Sequence, residues 1–223
     1  GYFKKITPQS LRMSGEQKYK EDDGLGQYFE ATNRAELLVF TDRQQVYYLR
    51  VSEFAETKAS ALGDFLPSKL GMDEGESVVA AVPAGDYKGT LLLFFQNGKC
   101  ARIPLDAYAT KTRRKRATGA YSDKSPLVTV MKLEEETELA VTSGEGRCVI
   151  FSTAQLAPKT GRTTQGVQVM SLKKHIVTDV RPVSETPIRN IQRYRARNIP
   201  AAGAKLTDED RGEEQLSLLG EET

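Results

Sequence analysis

Apolar and polar positions along this chain fall into one short pattern written three times: an apolar run, a tight polar turn, then a second β-prone run. The copies extend from Leu37 to Tyr47, from Leu91 to Ala101 and from Leu139 to Val149. Aligned on the turn, Gln44, Gly98 and Gly146 are equivalent, which sets a period of about fifty residues. Asn97-Gly98 and Glu145-Gly146 follow apolar runs and read as hairpin turns, because glycine takes the positive φ that such turns demand. Gly1-Tyr2-Phe3-Lys4-Lys5-Ile6 fits the half that follows the turn and is expected to be a fourth copy, cut through. Hairpins at this period predict an all-β, propeller-like array, in which each small sheet buries its faces against its neighbours.

Further strands are expected at Val78–Val82, Leu127–Met131 and Gly166–Leu172, the last of these alternating with period two. Ile176–Val180 reads as the final strand, and Ser52–Leu62 as a short helix. Pro182 and Pro187 then break regular pairing. The chain divides on this reading into a β domain over 1–183, a basic extension over 184–206 and an acidic tail over 207–223. The tail's apolar patch, Leu216-Ser217-Leu218-Leu219, is too short to build a core, so disorder is expected from Thr207 onward.

Charge changes the picture more than composition does. The formal net charge is only +2 over 223 residues, yet Lys111, Arg113, Arg114, Lys115 and Arg116 crowd one stretch. Arg181, Arg189, Arg193, Arg195, Arg197 and Lys205 follow, and the last residues reverse sign with Asp208, Glu209, Asp210, Glu213, Glu214, Glu221 and Glu222 against Arg211. A basic body with an acidic tail suits a polyanion-binding surface and a segment able to compete for it. The longest apolar stretch, Leu91–Phe95, falls far short of the ~20 residues that span a bilayer, and no secretory leader is visible. A soluble, cytoplasmic protein without a membrane partner is therefore expected. Cys100 and Cys148 take equivalent places after their turns and read as core positions, with neither a disulfide nor a metal assigned.

No catalytic constellation assembles from these residues. His175 is the sole histidine, it lies beside Lys173-Lys174, and no G-x-S-x-G element accompanies it. Gly144-Glu145-Gly146-Arg147 lacks the spacing of a phosphate loop. Glu21-Asp22-Asp23 and Glu134-Glu135-Glu136 are consecutive acids that point in different directions and suit solvated loops. The run from Lys111 to Arg116 is different. It follows a hairpin directly, and its cations can neutralise several phosphates, each releasing condensed counterions and giving affinity without base reading.

Gly1-Tyr2-Phe3-Lys4-Lys5, the hairpin opening at Leu37 and Gly161-Arg162-Thr163-Thr164-Gln165-Gly166-Val167 together resemble the C-terminal domain of the A subunit of bacterial type IIA DNA topoisomerases, the gyrase and topoisomerase IV family. The resemblance covers about Gly1 to Val183. It implies a β-pinwheel of about three complete blades plus a truncated one, with strands exchanged between blades and a basic rim that binds and bends duplex DNA. Lys4, Lys5, Arg102, Lys111, Arg113, Arg114, Lys115, Arg116, Arg162, Arg189 and Arg193 are the residues assigned to that contact. The implied partners are double-stranded DNA, the rest of the same topoisomerase polypeptide and a B-type ATPase subunit, in a cytoplasmic, nucleoid-associated setting. No cofactor is expected in this segment, ATP and Mg²⁺ being used by the parent enzyme, and none of the nine tyrosines is assigned a catalytic role. The chain departs from gyrase at Ser14–Gly24. There gyrase has a basic, glycine-rich box, whereas here Lys18 and Lys20 are outweighed by Glu16, Glu21, Asp22 and Asp23. Without the resemblance, a propeller-like platform whose basic loops bind acidic proteins fits the same repeats.

Overall fold

The apolar runs form hairpins in which the first strand is buried on both faces, which is why these segments are continuously apolar instead of alternating. A computed structural model describes residues 1–212, in two compact units: Gly1–Lys88 with Tyr108–Tyr121, and Gly89–Ala107 with the described residues from Ser122 onward.

The first unit holds β1 (Tyr2–Phe3), α1 (Pro8–Met13), β2 (Glu36–Thr41), β3 (Gln45–Arg50), β4 (Asp64–Phe65), α2 (Leu66–Leu70) and β5 (Val78–Pro83). β6 (Thr90–Phe95) and β7 (Lys99–Pro104) open the second unit, and the chain then returns to the first with β8 (Arg116–Thr118). The remaining strands belong to the second unit: β9 (Leu127–Leu133), β10 (Glu138–Ser143), β11 (Arg147–Ser152), β12 (Val167–Gln168), β13 (Val177–Pro182) and β14 (Ala204–Lys205). Two short helices close the described chain, α3 (Ile191–Tyr194) and α4 (Asp208–Arg211). Three antiparallel four-stranded sheets result, ordered β5-β2-β3-β8, β12-β7-β6-β9 and β13-β10-β11-β14, beside a two-stranded pair, β1-β4.

Register confirms the repeat. The pairing of each hairpin's first strand shifts at the same place, between Phe40 and Thr41, Phe94 and Phe95, and Thr142 and Ser143. Cys100 and Cys148 lie opposite Phe94 and Thr142. Both thiols are unpaired and buried, and burial raises their pKa values, that of Cys148 to about 11. Lys5, Arg102 and Ile150 form corresponding parallel bridges to Glu56, Pro158 and Arg195, which sets Gly1 in register with Gly98 and Gly146. In every sheet the strand after the turn is completed by a strand from a later part of the chain: β4 on β1, β8 on β3, β12 on β7 and β14 on β11.

The cores follow from these sheets. Leu37, Val39, Tyr47, Leu49, Phe54 and Leu66 pack in the first unit, with Phe3 and Phe29 against them. Leu92, Phe94, Val141, Val149, Phe151 and Met170 pack in the second. Each fully buried side chain of this size contributes about 1.5–3 kcal/mol relative to exposure.

At the first hairpin Gln44 holds the turn position at φ 54°, where the other turns carry Gly98 and Gly146. Gln44→Gly relieves that left-handed backbone, and after the entropy cost of glycine it should stabilise the protein by about 0.5 kcal/mol. A rise in the urea midpoint at constant slope is the check.

Four expectations from the sequence need correction. Ser52–Leu62 is not a helix, because Lys5 O accepts from Thr57 N at 2.8 Å and the bridge from Lys5 to Glu56 holds this segment extended after a single 3-10 turn at Val51–Glu53. Gly166–Leu172 is not one continuous strand, since only Val167–Gln168 pairs with β7 before Met170 turns to bridge Ala201. The third sheet does not end near Val183, because β14 completes it and Tyr194 of α3 is buried in a cluster with Cys148 and Ile150. Nor does disorder begin at Thr207. Its hydroxyl caps α4, and Asp210 is buried with its carboxylate accepting from Arg189 N, Asn190 N, Thr207 Oγ1 and the Tyr194 hydroxyl. The Leu216–Leu219 patch lies outside the described residues. Among the described residues, no helix is long and apolar enough to cross a membrane.

Candidate nucleic-acid interface

The basic run leaves one buried tyrosine and ends in a paired strand. Tyr108 is fully buried, its carbonyl accepts from the Tyr48 hydroxyl at 2.9 Å, and its own hydroxyl donates to Ala120 O at 2.8 Å. Across this cinched base Tyr48 N donates to Lys115 O and Ala120 N to Gln44 O, both at 2.9 Å. Tyr121 is held at the far end, its hydroxyl donating to Thr41 O at 2.6 Å. Residues 109–115 therefore form a loop with two fixed feet. Lys111, Arg113, Arg114 and Lys115 are exposed on it, and their side chains make no hydrogen bond or ion pair among the described residues.

Such a loop concentrates positive charge in water at low cost, because exposed cations are screened over about 8–10 Å at physiological salt. A polyanion that bridges them gains from every neutralised phosphate. Arg116, the next residue, is already engaged, with Nη1 3.2 Å from Asp73 Oδ1. The Tyr47 hydroxyl and then Asp73 hold its guanidinium further into the charged form.

The other assigned cations have contacts within the protein. Lys4 Nζ donates to Ala59 O, Lys18 O and Gln17 Oε1 at 3.0–3.2 Å, and burial lowers its pKa. Lys5 Nζ donates to Phe54 O at 3.1 Å and Val51 O at 3.4 Å. Arg102 Nη1 reaches Glu136 Oε1 at 2.7 Å and Thr153 O at 3.3 Å, with little of its side chain exposed. The Thr153 hydroxyl and then Arg102 hold the Glu136 carboxyl below its usual range. Lys5 and Arg102 share one register position, and both donate to carbonyls at a later 3-10 turn, so these two cations have partners within the fold. Arg162 is half-buried and has contacts of its own. Arg189 is exposed but pairs with Glu209 at 2.7 Å, so the first acids of the tail meet the basic extension directly. Arg193 is exposed and lies 5.9 Å from the centroid of the Tyr194 ring.

Sequence reasoning misses a second cationic cluster. Around the third hairpin turn, Gly144 N donates to Ile176 O at 2.9 Å, bringing Lys173-Lys174-His175 to the turn. Arg147 pairs with Lys205 across β11 and β14 and donates to Gly203 O at 2.9 Å, while the Arg211 guanidinium lies against Gly146. Glu145 sits among them, 3.4 Å from Arg147 and 3.8 Å from His175. Lys173-Lys174-His175 is the available signal, but only the chain path from Gly144 to Ile176 gathers it with the arginines. The loop Ser14–Gly24 makes no such surface, since Lys18 and Lys20 stand among its acids and its Gln17 and Lys18 backbone are occupied by Lys4.

The model of the family described as the DNA gyrase C-terminal domain, beta-propeller, matches residues 35–63 and 137–184. Among curated proteins, the A subunit of DNA topoisomerase 4 from Staphylococcus epidermidis is 26% identical over 178 residues, covering 78% of this chain and 22% of that protein. Its counterpart in Staphylococcus aureus (strain MSSA476) is 24% identical over 202 residues, covering 86% and 25%. The chain thus spans about a quarter of the length of these relatives. Among solved structures, a C-terminal domain of DNA topoisomerase IV aligns with a TM-score of 0.67 at 23% identity over 84% of this chain and 59% of that one. The E. coli ParC C-terminal domain aligns at 0.61 and 13%, over 87% and 86%. These likenesses agree with the exchanged-strand sheets in fold.

Proposed function

We propose that this chain, similar in sequence and fold to the C-terminal β-propellers carried by gyrase and topoisomerase IV, belongs to that family and binds duplex DNA through the Lys111–Lys115 loop, independently of base sequence. The observation that carries the reading is that loop: four exposed cations with no side-chain partner among the described residues, on a segment fixed at both feet. Phosphate contacts of this kind position a duplex without reading it. The cluster at the third turn supplies a second basic surface of the same chemistry.

In the proposed role the domain bends the duplex and presents it to the strand-passage part of a topoisomerase, which works with a B-type ATPase subunit in the bacterial cytoplasm. Bending a short duplex costs of order 1–6 kcal/mol, so several contacts must act together. ATP and Mg²⁺ would act in those other parts, and no residue of this chain is assigned to them.

The test is a salt titration of duplex affinity for the chain in which Lys111, Arg113, Arg114 and Lys115 are all replaced by glutamine. Binding should weaken equally on unrelated sequences, and the slope of log K against log salt should fall by about 0.9 for each phosphate that is no longer neutralised. An unchanged slope refutes the proposed interface. Retained binding of an acidic protein with no binding of DNA would favour the protein-platform reading instead.

A further inference from the structure

The strands that complete the sheets enter by a shared device, and one of them departs from it. Gly63, Gly166 and Gly203 precede β4, β12 and β14 at φ of +87°, +73° and +76°. Each lies against a carbonyl oxygen of the strand being joined, that of Phe3, Cys100 or Cys148, so closely that a β-carbon has no room. In β8 the corresponding residue is Arg116. Positive φ outside glycine is confined, among the described residues, to Asp22, Gln44 and Tyr87, so Arg116 has ordinary backbone, and pairing extends one residue further to set it opposite Tyr47.

That extension delivers the guanidinium to a network rooted in the core. Asp73, on the loop between α2 and β5, takes Arg116 on Oδ1 at 3.2 Å and Gln45 Nε2 on Oδ2 at 3.0 Å. These two hydrogen bonds, Gln45 first, hold the Asp73 carboxyl below its usual range. Asp73 N donates to Glu76 Oε2 at 2.9 Å, and buried Glu76 also accepts from Tyr47 Oη at 2.9 Å, Gln45 Nε2 at 3.1 Å and the Thr41 hydroxyl. Arg116 thus differs in kind from the four cations before it.

We propose that Arg116 is a positioning residue: its pairing with Asp73 sets the direction in which residues 111–115 leave β8 and holds their cations toward one phosphate track. The inference deepens the duplex-binding reading and rests on it. Electrostatics alone makes the opposite prediction for one variant. Asp73→Asn removes an acid next to a polyanion site, which by charge tightens binding; lost positioning weakens it.

The experiment uses the whole chain with a nitroxide at Thr112→Cys, an exposed position, while Cys100 and Cys148 are buried and resist labelling. Without DNA, the nitroxide spectrum should sharpen in Asp73→Asn and Arg116→Gln and stay ordered in Arg116→Lys. In fluorescence-anisotropy titrations Asp73→Asn should bind a labelled duplex about two- to fivefold more weakly, the scale of a half-exposed ion pair, despite its added positive charge. An unchanged spectrum, or equal or tighter duplex binding by Asp73→Asn while Arg113→Gln/Arg114→Gln weakens it, overturns the positioning role. If Arg113→Gln/Arg114→Gln leaves affinity unchanged, the duplex-binding reading fails, and the nitroxide result still decides whether the loop is held. Should circular dichroism show Asp73→Asn unfolded, Arg116→Lys against Arg116→Gln decides: order restored by lysine supports the role, and identical spectra overturn it.

Discussion

Gly166→Ala should detach β12 from β7 and cost the second unit about 3 kcal/mol or more. A β-carbon built there falls 2.0 Å from Cys100 O and 2.6 Å from Ala101 Cα, on a backbone at φ +73°. Neither neighbour is a flexible side-chain tip, so the strand must move. With it go the Val167–Cys100 pairing, the bond from Val169 N to Gly98 O at 2.9 Å and the bond from Gln168 Nε2 to Asn97 O at 2.8 Å. Gly161→Ala is the control within the same motif, because nothing lies within 4 Å of its β-carbon and its φ is not positive. That change should stay within about 0.5 kcal/mol. Hydrogen exchange at β7 and β12 reads the difference, and equal exchange in the two variants would show that the close approach at Gly166 is not what seats the strand.

Asp210→Ala should release the segment from Arg189 to Gly212, at a cost of about 3 kcal/mol, because four donors lose a buried, charged acceptor. Burial alone would raise the Asp210 pKa, but the hydrogen bonds from Tyr194, the Arg189 and Asn190 backbone and Thr207 outweigh it and lower the value. A carboxyl lowered in the folded state adds stability that is complete above its unfolded pKa of about 3.9 and is lost as pH falls through the folded value. Proteolysis within 189–212 should accordingly rise below about pH 4 in the parent chain. Asp210→Asn should already be susceptible at neutral pH and should show little further change on acidification. A parent chain equally resistant at both pH values would refute the clamp.

The three hairpins are legible because long apolar runs broken by short polar turns, Asn-Gly and Glu-Gly in two of them, are local signals. The completing strands are legible only in part. β4 and β14 are two residues long, too short for any periodicity; the period-two run at Gly166–Leu172 covers β12 but hides its two-residue extent, and the partners of all three lie far away in sequence. Gly63, Gly166 and Gly203 do mark them, but a glycine that permits close approach looks in sequence like one that only makes a loop. The exposed run at Lys111–Lys115 is visible as a block of like charge. Lys5 and Arg102 show the complementary limit: charge pattern does not reveal that a cation is turned onto a carbonyl of a 3-10 turn or its cap. Asp210 reads in sequence as one of several solvated acids, since its four donors come from residues between Arg189 and Thr207 that only the fold assembles around it.

Delayed completion of each sheet has a consequence during synthesis. β3 finds its outer neighbour only when Ala117 has been made, and by then the β6–β7 hairpin of the other unit already exists. β7 similarly waits for Val167, and β11 for Ala204. Hairpins close locally and fast, whereas these late pairings carry high contact order and come last. A nascent chain that has completed its first hairpin therefore trails at least one whose edge is open to pairing with other chains, and a ribosome paused just after Pro104 would leave β3 and β7 both uncovered. Protection from aggregation passes along the polypeptide one repeat behind elongation.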